Sequence, residues 1–429
     1  MNKKIGQSRS ALNFAEVAAK YPHFPKLIML KIDLHRRGVH YTDAALSQVD
    51  PNRHQLGGTH IFGTRDGKYI KKEGDVSVRR PEAFVLRDGT SVLTTPTPLE
   101  LNPYIVDFVD GRLVVKDDGE EMDEIFYWEK PTYYDKYTKS GALMQNVVGS
   151  RSQRYYLALN RYCHFWTKNE GCKFCDIVSN LKELSSDFGM SARLNPEDVS
   201  ETIEEALKEP GRAAAICLTS GSDYRGEQAF DAEIDYYIEI LRAIGRHFRT
   251  EKFPCQILCT AVKKEQLQRL YDNTGVTSIT MDIEVFGEQL FEFICPGKSR
   301  WIGYHEWKKR LVDAVDVFGP GRVGTGIVSG VELVPPVGIG YPSEDAALEG
   351  TLAEAEDLAK QGVSTVNMIW VPRPGSAFGV QHQNASLEFY VILAWELQQL
   401  RKKYNLQIDF DDYRRCGNHA DSDLARVFS

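Results

Sequence analysis

Arg154-Tyr155-Tyr156-Leu157-Ala158-Leu159 followed by Asn160-Arg161-Tyr162-Cys163-His164-Phe165-Trp166-Thr167-Lys168-Asn169-Glu170-Gly171-Cys172-Lys173-Phe174-Cys175 decides how this chain is read. The first six residues are mostly aromatic and aliphatic and read as a strand. The remainder is a loop carrying Cys163, Cys172 and Cys175 as C-x8-C-x2-C. Three thiolates on one short loop suit a [4Fe–4S] cluster in which one iron keeps an open position. The two-residue gap sets Cys172 and Cys175 at neighbouring corners of a cube, and the longer gap carries Cys163 to a third. A zinc knuckle is the alternative, because paired cysteines at this spacing also hold zinc. Structural zinc wants four ligands, and His164 abuts Cys163 too closely to supply the fourth.

Downstream of this loop, strand and helix patterns alternate. Strands are expected over Tyr155–Leu159, Ala213–Leu218, Gln256–Cys259, Ser278–Ile283, Arg322–Val328 and Thr365–Val371, with a short seventh over Leu406–Phe410. Asn195-Pro196 opens a helix with a good cap and proline at the first helical position. Phe230, Ile234, Tyr237, Ile238, Leu241, Ile244 and Phe248 recur at helical spacing, as do Trp307, Leu311, Ala314, Val315 and Phe318 after Tyr304. Further helices are expected over Asp345–Lys360 and Leu387–Leu400. Repeated βα units with apolar strands imply a parallel sheet, here a partial (β/α)6-7 TIM-type barrel with too few strands to close. Ligand chemistry in such a barrel collects at the C-terminal ends of its strands, and the cysteine loop stands at one of them.

Residues 1–150 read differently, as a small β-rich α+β accessory domain before the barrel domain of residues 151–429. Ala11–Lys20 is an expected helix and Leu27–Ile32 an expected strand. Asp66-Gly67, Asp88-Gly89 and Asp110-Gly111 supply the positive φ angles of tight hairpins. Asp33-Leu34-His35-Arg36-Arg37-Gly38 matches D-x-H-x-x-G, the loop whose histidine ligates cobalt in cobalamin-binding domains. The residues after it read as hairpins, which leaves a polar loop after a strand as the plainer reading.

Bulk composition is that of an ordinary globular protein, with 42% hydrophobic and 26% charged residues among 429. The net charge of -8 argues against a nucleic-acid partner, whose phosphates need a cationic surface. Eight cysteines in a chain of this size do not make a disulfide scaffold. No apolar run approaches membrane-spanning length. A cytoplasmic, low-oxygen setting is therefore expected. Cys217 reads as core, while Cys255 and Cys259, four apart on one strand, share a face. The spacing of Cys259, Cys295 and Cys416 does not demand a second cluster.

The loop ending Cys172-Lys173-Phe174-Cys175 resembles that of the radical S-adenosylmethionine (SAM) superfamily, in which the open iron binds the amine and carboxylate of SAM. Most of that superfamily uses C-x3-C-x2-C, so the eight-residue gap points to an outlying branch. Thr219-Ser220-Gly221-Ser222 loosely resembles the family's Gly-Gly-Glu contact to the SAM amine, with the glutamate replaced by serine or a backbone carbonyl; a plain βα turn is the alternative. Met281-Asp282-Ile283-Glu284 places two carboxylates on one strand face. From Asp282 to Arg310 the chain looks like the fourth strand and helix of biotin synthase, the [FeFe]-hydrogenase maturase and the methylornithine synthase-like branch, through Glu288-Gln289-Leu290-Phe291-Glu292, Pro296-Gly297 and Trp307 to Leu311. By that resemblance Asp282 and Glu284 hold the SAM ribose hydroxyls or amine, and Arg310 pairs with its carboxylate. Gly326, within Thr325–Gly330, would let the ligand lie against backbone, and Phe174, Ile369 and Trp370 would flank it.

What the resemblance implies is reductive cleavage of SAM by the cluster to a 5′-deoxyadenosyl radical, followed by hydrogen abstraction from a small molecule. A flavodoxin or ferredoxin would supply the electron. Rearrangement or fragmentation of a metabolite is the leading outcome, with radical methylation or sulfur insertion behind it. From another class, a zinc- or iron–sulfur-bearing scaffold or metallocofactor-maturation protein would carry the same thiols without cleaving SAM. Arg373, Arg414 and Arg415 hint at an acidic substrate, and Tyr304, His305, Trp370 and His382 are candidates to line its pocket.

Overall fold

The computed structural model describes residues 12–56, 71–73, 76–78, 80–151, 154–188, 190–379, 384–406, 419, 423–425 and 427. Asn13 opens the first helix, Phe14–Lys20, with a capping box: its side chain accepts from the Glu16 amide at 3.0 Å, and Glu16 accepts from the Asn13 amide at 2.8 Å. The strand expected over Leu27–Ile32 is instead part of a helix, Lys26–Arg37. Ile28, Met29, Leu30, Ile32 and Leu34 are all buried, so the run shows no one-sided period that would separate helix from strand. The D-x-H-x-x-G motif therefore lies on the last turns of a helix, not in a loop after a strand. Asp33 there accepts from the Tyr104 hydroxyl at 2.7 Å and from Arg36 at 2.6 Å.

A six-stranded sheet follows, built from β1 (Val39–Tyr41), β4 (Ala83–Leu86), β5 (Ser91–Leu93), β6 (Tyr104–Val109), β7 (Arg112–Asp117) and β8 (Glu120–Tyr127) in the order β1-β6-β7-β8-β4-β5. A separate ribbon pairs β2 (Lys71–Glu73) with β3 (Val76–Val78). Asp88-Gly89 turns β4 into β5, and Asp110-Gly111 turns β6 into β7 with φ of 50° and 80°. A further Asp-Gly turn, Asp118-Gly119, joins β7 to β8. The expected turn at Asp66-Gly67 lies outside the described residues.

The second sheet carries the βα repeats. β9 (Gly149–Arg151) is antiparallel at one edge; β10 (Arg154–Ala158), β11 (Ala215–Thr219), β12 (Cys255–Leu258), β13 (Ser278–Thr280), β14 (Val323–Ser329) and β15 (Val363–Ile369) follow in sequence order, each parallel to the next. Helices Pro196–Ala206, Asp231–Gly245, Lys264–Asn273, Tyr304–Phe318, Glu344–Lys360 and Leu387–Lys403 alternate with or follow them. The sheet is thus the curled, incomplete barrel expected, although β13 stops three residues earlier than the sequence pattern suggested. Of the seventh strand expected over Leu406–Phe410, Leu406 is irregular and the rest lies outside the described residues. Asn195 caps its helix as expected, accepting from the Glu197 amide at 2.8 Å.

Cys255 and Cys259 do not share a face. β12 ends at Leu258, the alternation breaks there, and Cys259 turns toward the barrel interior while Cys255 stays in the core. One continuous apolar core joins Phe14, Ile28 and Tyr104 of the N-terminal part to Leu157, Ile257, Trp307 and Tyr390 of the barrel. Among the described residues, no helix is long and apolar enough to cross a membrane.

Candidate active site

The cysteine loop leaves β10 at the C-terminal edge of the sheet and is fixed from two sides. On one side the Gly221 amide donates to the Asn160 carbonyl at 2.8 Å, and the His164 amide to the Ser222 carbonyl at 2.8 Å. A Cβ at Gly221 would fall 2.4 Å from the Tyr162 carbonyl oxygen, so this close approach requires glycine. On the other side the Lys173 amide donates to Ile294, and the Gly297 amide to Glu170, both at 2.9 Å. A Cβ at Gly297 would meet Phe165 Cγ at 2.6 Å. Pro296-Gly297 is therefore a clamp on the loop as well as the start of the short helix Pro296–Trp301.

Cys163, Cys172 and Cys175 line one cavity of about 270 Å³ that occupies the barrel mouth and interior. Burial pushes the Cys163 thiol up to about 12 and Cys175 well above its ordinary range, with Cys172 adding to both. Half-buried thiols such as Cys163 and Cys175, held protonated beside Cys172, are poor as a resting arrangement and good as a donor set, since a bound metal supplies the positive charge they lack. Among the described residues, no three His, Cys, Asp or Glu side chains converge as the ligands of a single ion would. The three thiols line one cavity.

The other candidates reach the same cavity from successive strand ends. Thr219 ends β11, and Ser220, Gly221 and Ser222 follow it; Asp282 and Glu284 follow β13; Gly326 lies on β14; Ile369 ends β15 and Trp370 follows it; Phe174 comes from the loop itself. Asp282 Oδ1 accepts from the Gly326 amide at 2.7 Å, and a Cβ on Gly326 would stand 2.5 Å from that oxygen. Glu284 has φ of 71°, a left-handed conformation a glutamate rarely adopts, which turns its carboxylate into the cavity. Trp370 Nε1 is buried with no hydrogen-bond partner among the described residues, which fits a bound group offering an acceptor.

Arg310 is not part of this arrangement. It sits on the Tyr304–Phe318 helix, donates to the Ala261 carbonyl at 2.9 Å and to Glu306 at 2.8 Å, and does not line the cavity. The cation beside the carboxylates is Lys298, which sequence reading passed over. Its Nζ lies 2.6 Å from Glu284 Oε1 and also donates to the Asp282 carbonyl. Burial works to lower Lys298, but Glu284, the thiols of Cys172 and Cys295, and Asp282 together hold it above its ordinary value. Burial outweighs Lys298 at the partner and pushes Glu284 up to about 7. A buried carboxylate behind Ser222 was missed as well: Thr260 Oγ1 lies 2.8 Å from Ser222 Oγ and 2.9 Å from Glu233 Oε2, and burial raises Glu233 to about 7. Neither Lys298 nor Glu233 carries a local signal, since a single charge on a helix reads as solvated.

Of the remaining candidates, Trp370 and Arg373 line the cavity, Tyr304 is buried against Gly287 outside it, and His305 is exposed beside Glu288. Cys217 and Cys259 line the barrel interior, and Cys295 is buried behind the loop with its thiol hydrogen-bonded to Cys172. His382, Arg414, Arg415 and Cys416 lie outside the described residues.

No family model matches the chain. Over 305 residues it is 24% identical to bacteriochlorophyllide c C-7(1)-hydroxylase of Chlorobaculum limnaeum, spanning 68% of each chain. It resembles the solved structure of methylornithine synthase at a TM-score of 0.39 and 13% identity, over 65% of this chain and 72% of that one. A radical SAM methyltransferase from Sphaerobacter thermophilus aligns over 96% of this chain and 99% of its own at a TM-score of 0.40 and 12% identity. These superpositions are loose, and the weight falls on the thiol loop at the strand ends and on the sequence relative. The chain is thus similar in sequence to that hydroxylase, and its thiol loop resembles that of the radical SAM superfamily.

Proposed function

We propose that Cys163, Cys172 and Cys175 hold a [4Fe–4S] cluster and that SAM lies across the strand ends above a small-molecule substrate in the barrel. The cluster, when bound, supplies the electron that cleaves SAM to methionine and a 5′-deoxyadenosyl radical able to take hydrogen from the substrate. The observation that carries this reading is that three thiols and residues from four successive strands or strand ends face one cavity.

The chain's own residues do the rest. Gly221 and Gly297 clamp the loop so that its thiols keep their spacing. Gly326 and the Ser220–Ser222 backbone allow close approach of a flat ligand. Asp282, held by the Gly326 amide, offers its carboxylate to ribose hydroxyls or to an amine. Lys298 holds Glu284 in place and takes the role of fixing charge at the mouth that Arg310 cannot. Apolar walls from Phe174, Ile369 and Trp370 exclude water and competing hydrogen donors.

A small metabolite is the substrate we favour. Rearrangement or fragmentation of that metabolite is the reaction we favour. A flavodoxin or ferredoxin serves as electron donor.

The test is anaerobic reconstitution with iron and sulfide, then dithionite and SAM, with 5′-deoxyadenosine assayed by mass spectrometry. Wild type is expected to form the product and to contain iron; Cys163→Ala, Cys172→Ala and Cys175→Ala are expected to lose both. A colourless, zinc-containing wild type that never cleaves SAM would overturn the reading and favour a scaffold.

A further inference from the structure

The end of the cavity away from the cysteine loop carries two arginines, and nothing in SAM cleavage accounts for them. β9 and β10 are antiparallel, and Arg151 stands directly opposite Arg154. Directly opposed residues project to the same sheet face, and like charges in that position repel. Both arginines line the cavity, and both are buried, at 7% and 6% exposure. Arg151 is ion-paired with Glu82 at 3.9 Å from Nε, too long for a hydrogen bond. Arg151 Nη2 is buried with no hydrogen-bond partner among the described residues. Its guanidinium lies 4.0 Å over the Tyr156 ring, which fixes its plane. Arg154 Nη1 donates to Gln256 Oε1 at 3.3 Å. The unused Nη2 of buried Arg151 is costly unless an acceptor completes it.

We propose that Arg151, with Arg154 beside it and Tyr156 beneath, is the subsite for an anionic head group of the substrate, a carboxylate or a phosphate. This rests on the proposed function for the identity of the reacting end. Arg154 begins β10 and Ala158 ends it below the cysteine loop, so four steps of about 3.3 Å separate the anion from the strand ends, about 13 Å in all. The substrate is then an elongated acid, anchored at one end in the barrel and presenting carbon at the other end to the SAM site. A planar guanidinium fork suits either oxyanion.

The experiment uses the full-length reconstituted protein and two probes, succinate for the carboxylate and inorganic phosphate for the phosphate, titrated by calorimetry and by ligand-observed NMR. At least one is expected to bind saturably, and which one binds names the head group. Arg151→Gln is expected to weaken that probe by about thirtyfold or more, and Arg151→Lys by less. Because Arg151→Gln leaves Glu82 buried, the pair Glu82→Gln with Arg151→Gln serves as the fold-preserving version and is expected to show the same loss. Exposed Arg53→Gln is expected to bind as wild type does. Failure of both anions to bind wild type, or wild-type affinity in both Arg151→Gln variants, would overturn the subsite. SAM cleavage is scored separately on wild type: anion binding without 5′-deoxyadenosine would sink the enzymatic reading and leave the subsite, and product without anion binding would do the reverse.

Discussion

At Gly326 a single methyl group is enough to disturb the site. Its Cβ would stand 2.5 Å from Asp282 Oδ1, and the carboxylate would have to abandon the amide it accepts from at 2.7 Å. Gly326→Ala is expected to cost about 1–3 kcal/mol in urea unfolding and to lose most 5′-deoxyadenosine formation by displacing Asp282. A second residue-scale effect is electrostatic. Burial lifts Glu332 to about 7 from an ordinary 4.5, against the pull of its own and the Gly330 amides. Between those values the folded chain keeps a proton that the unfolded chain has lost. Stability therefore falls as pH rises through that window and levels off above it. Glu332→Gln should match wild type in thermal unfolding below the window and exceed it at pH 8. Glu233 and Glu284 contribute the same sign, so the variant flattens the profile only in part. That the three cysteines face one cavity was legible because their close spacing on one loop keeps them together. Lys298 and Glu233 were not, because their roles come from burial beside a carboxylate or a hydroxyl that is distant in sequence.

The element that holds the cysteine loop is the short helix Pro296–Trp301, and its contact is as close as packing permits. With Gly297→Ala, the added carbon would overlap Phe165 Cγ at 2.6 Å and the Glu170 carbonyl at 2.7 Å. The helix would have to retreat and take Lys298 with it. Iron retained after reconstitution is expected to fall severalfold, read by colorimetric iron assay, while far-ultraviolet circular dichroism stays unchanged. Amphipathic helices and parallel strands of the barrel were legible because one-sided burial leaves a period in the sequence. Lys26–Arg37 was misread for the opposite reason: its apolar run is buried on every side, and length alone would have separated helix from strand. Cys255 and Cys259 were misplaced because alternation holds only while the strand lasts, and β12 ends one residue before Cys259.

At the scale of the whole molecule, described residues from the N-terminal part and from near the end of the chain reach the barrel. His35, Leu93 and Thr95 reach the cavity from one, and His419 from the other. Lys31 and Asp423, both wholly buried and 2.5 Å apart, link a helix near the start to a segment near the end. Asp423→Ala is expected to destabilise the protein by about 3–5 kcal/mol in denaturant, since it strips a buried ammonium of its close carboxylate. Lys31→Met with Asp423→Leu should recover most of that loss.

The sequence alone determined the thiol spacing of the cysteine loop, the order of the βα repeats and the set of strand ends that face the cavity. Each of those is written in local spacing or in the period of burial along one element. The tertiary structure decided which charges meet. Lys298 replaced Arg310 at the carboxylates, Arg151 came opposite Arg154, and Asp423 reached Lys31. Such pairings depend on register, on loop paths and on which face of a helix turns inward, and a chain read one segment at a time contains none of these.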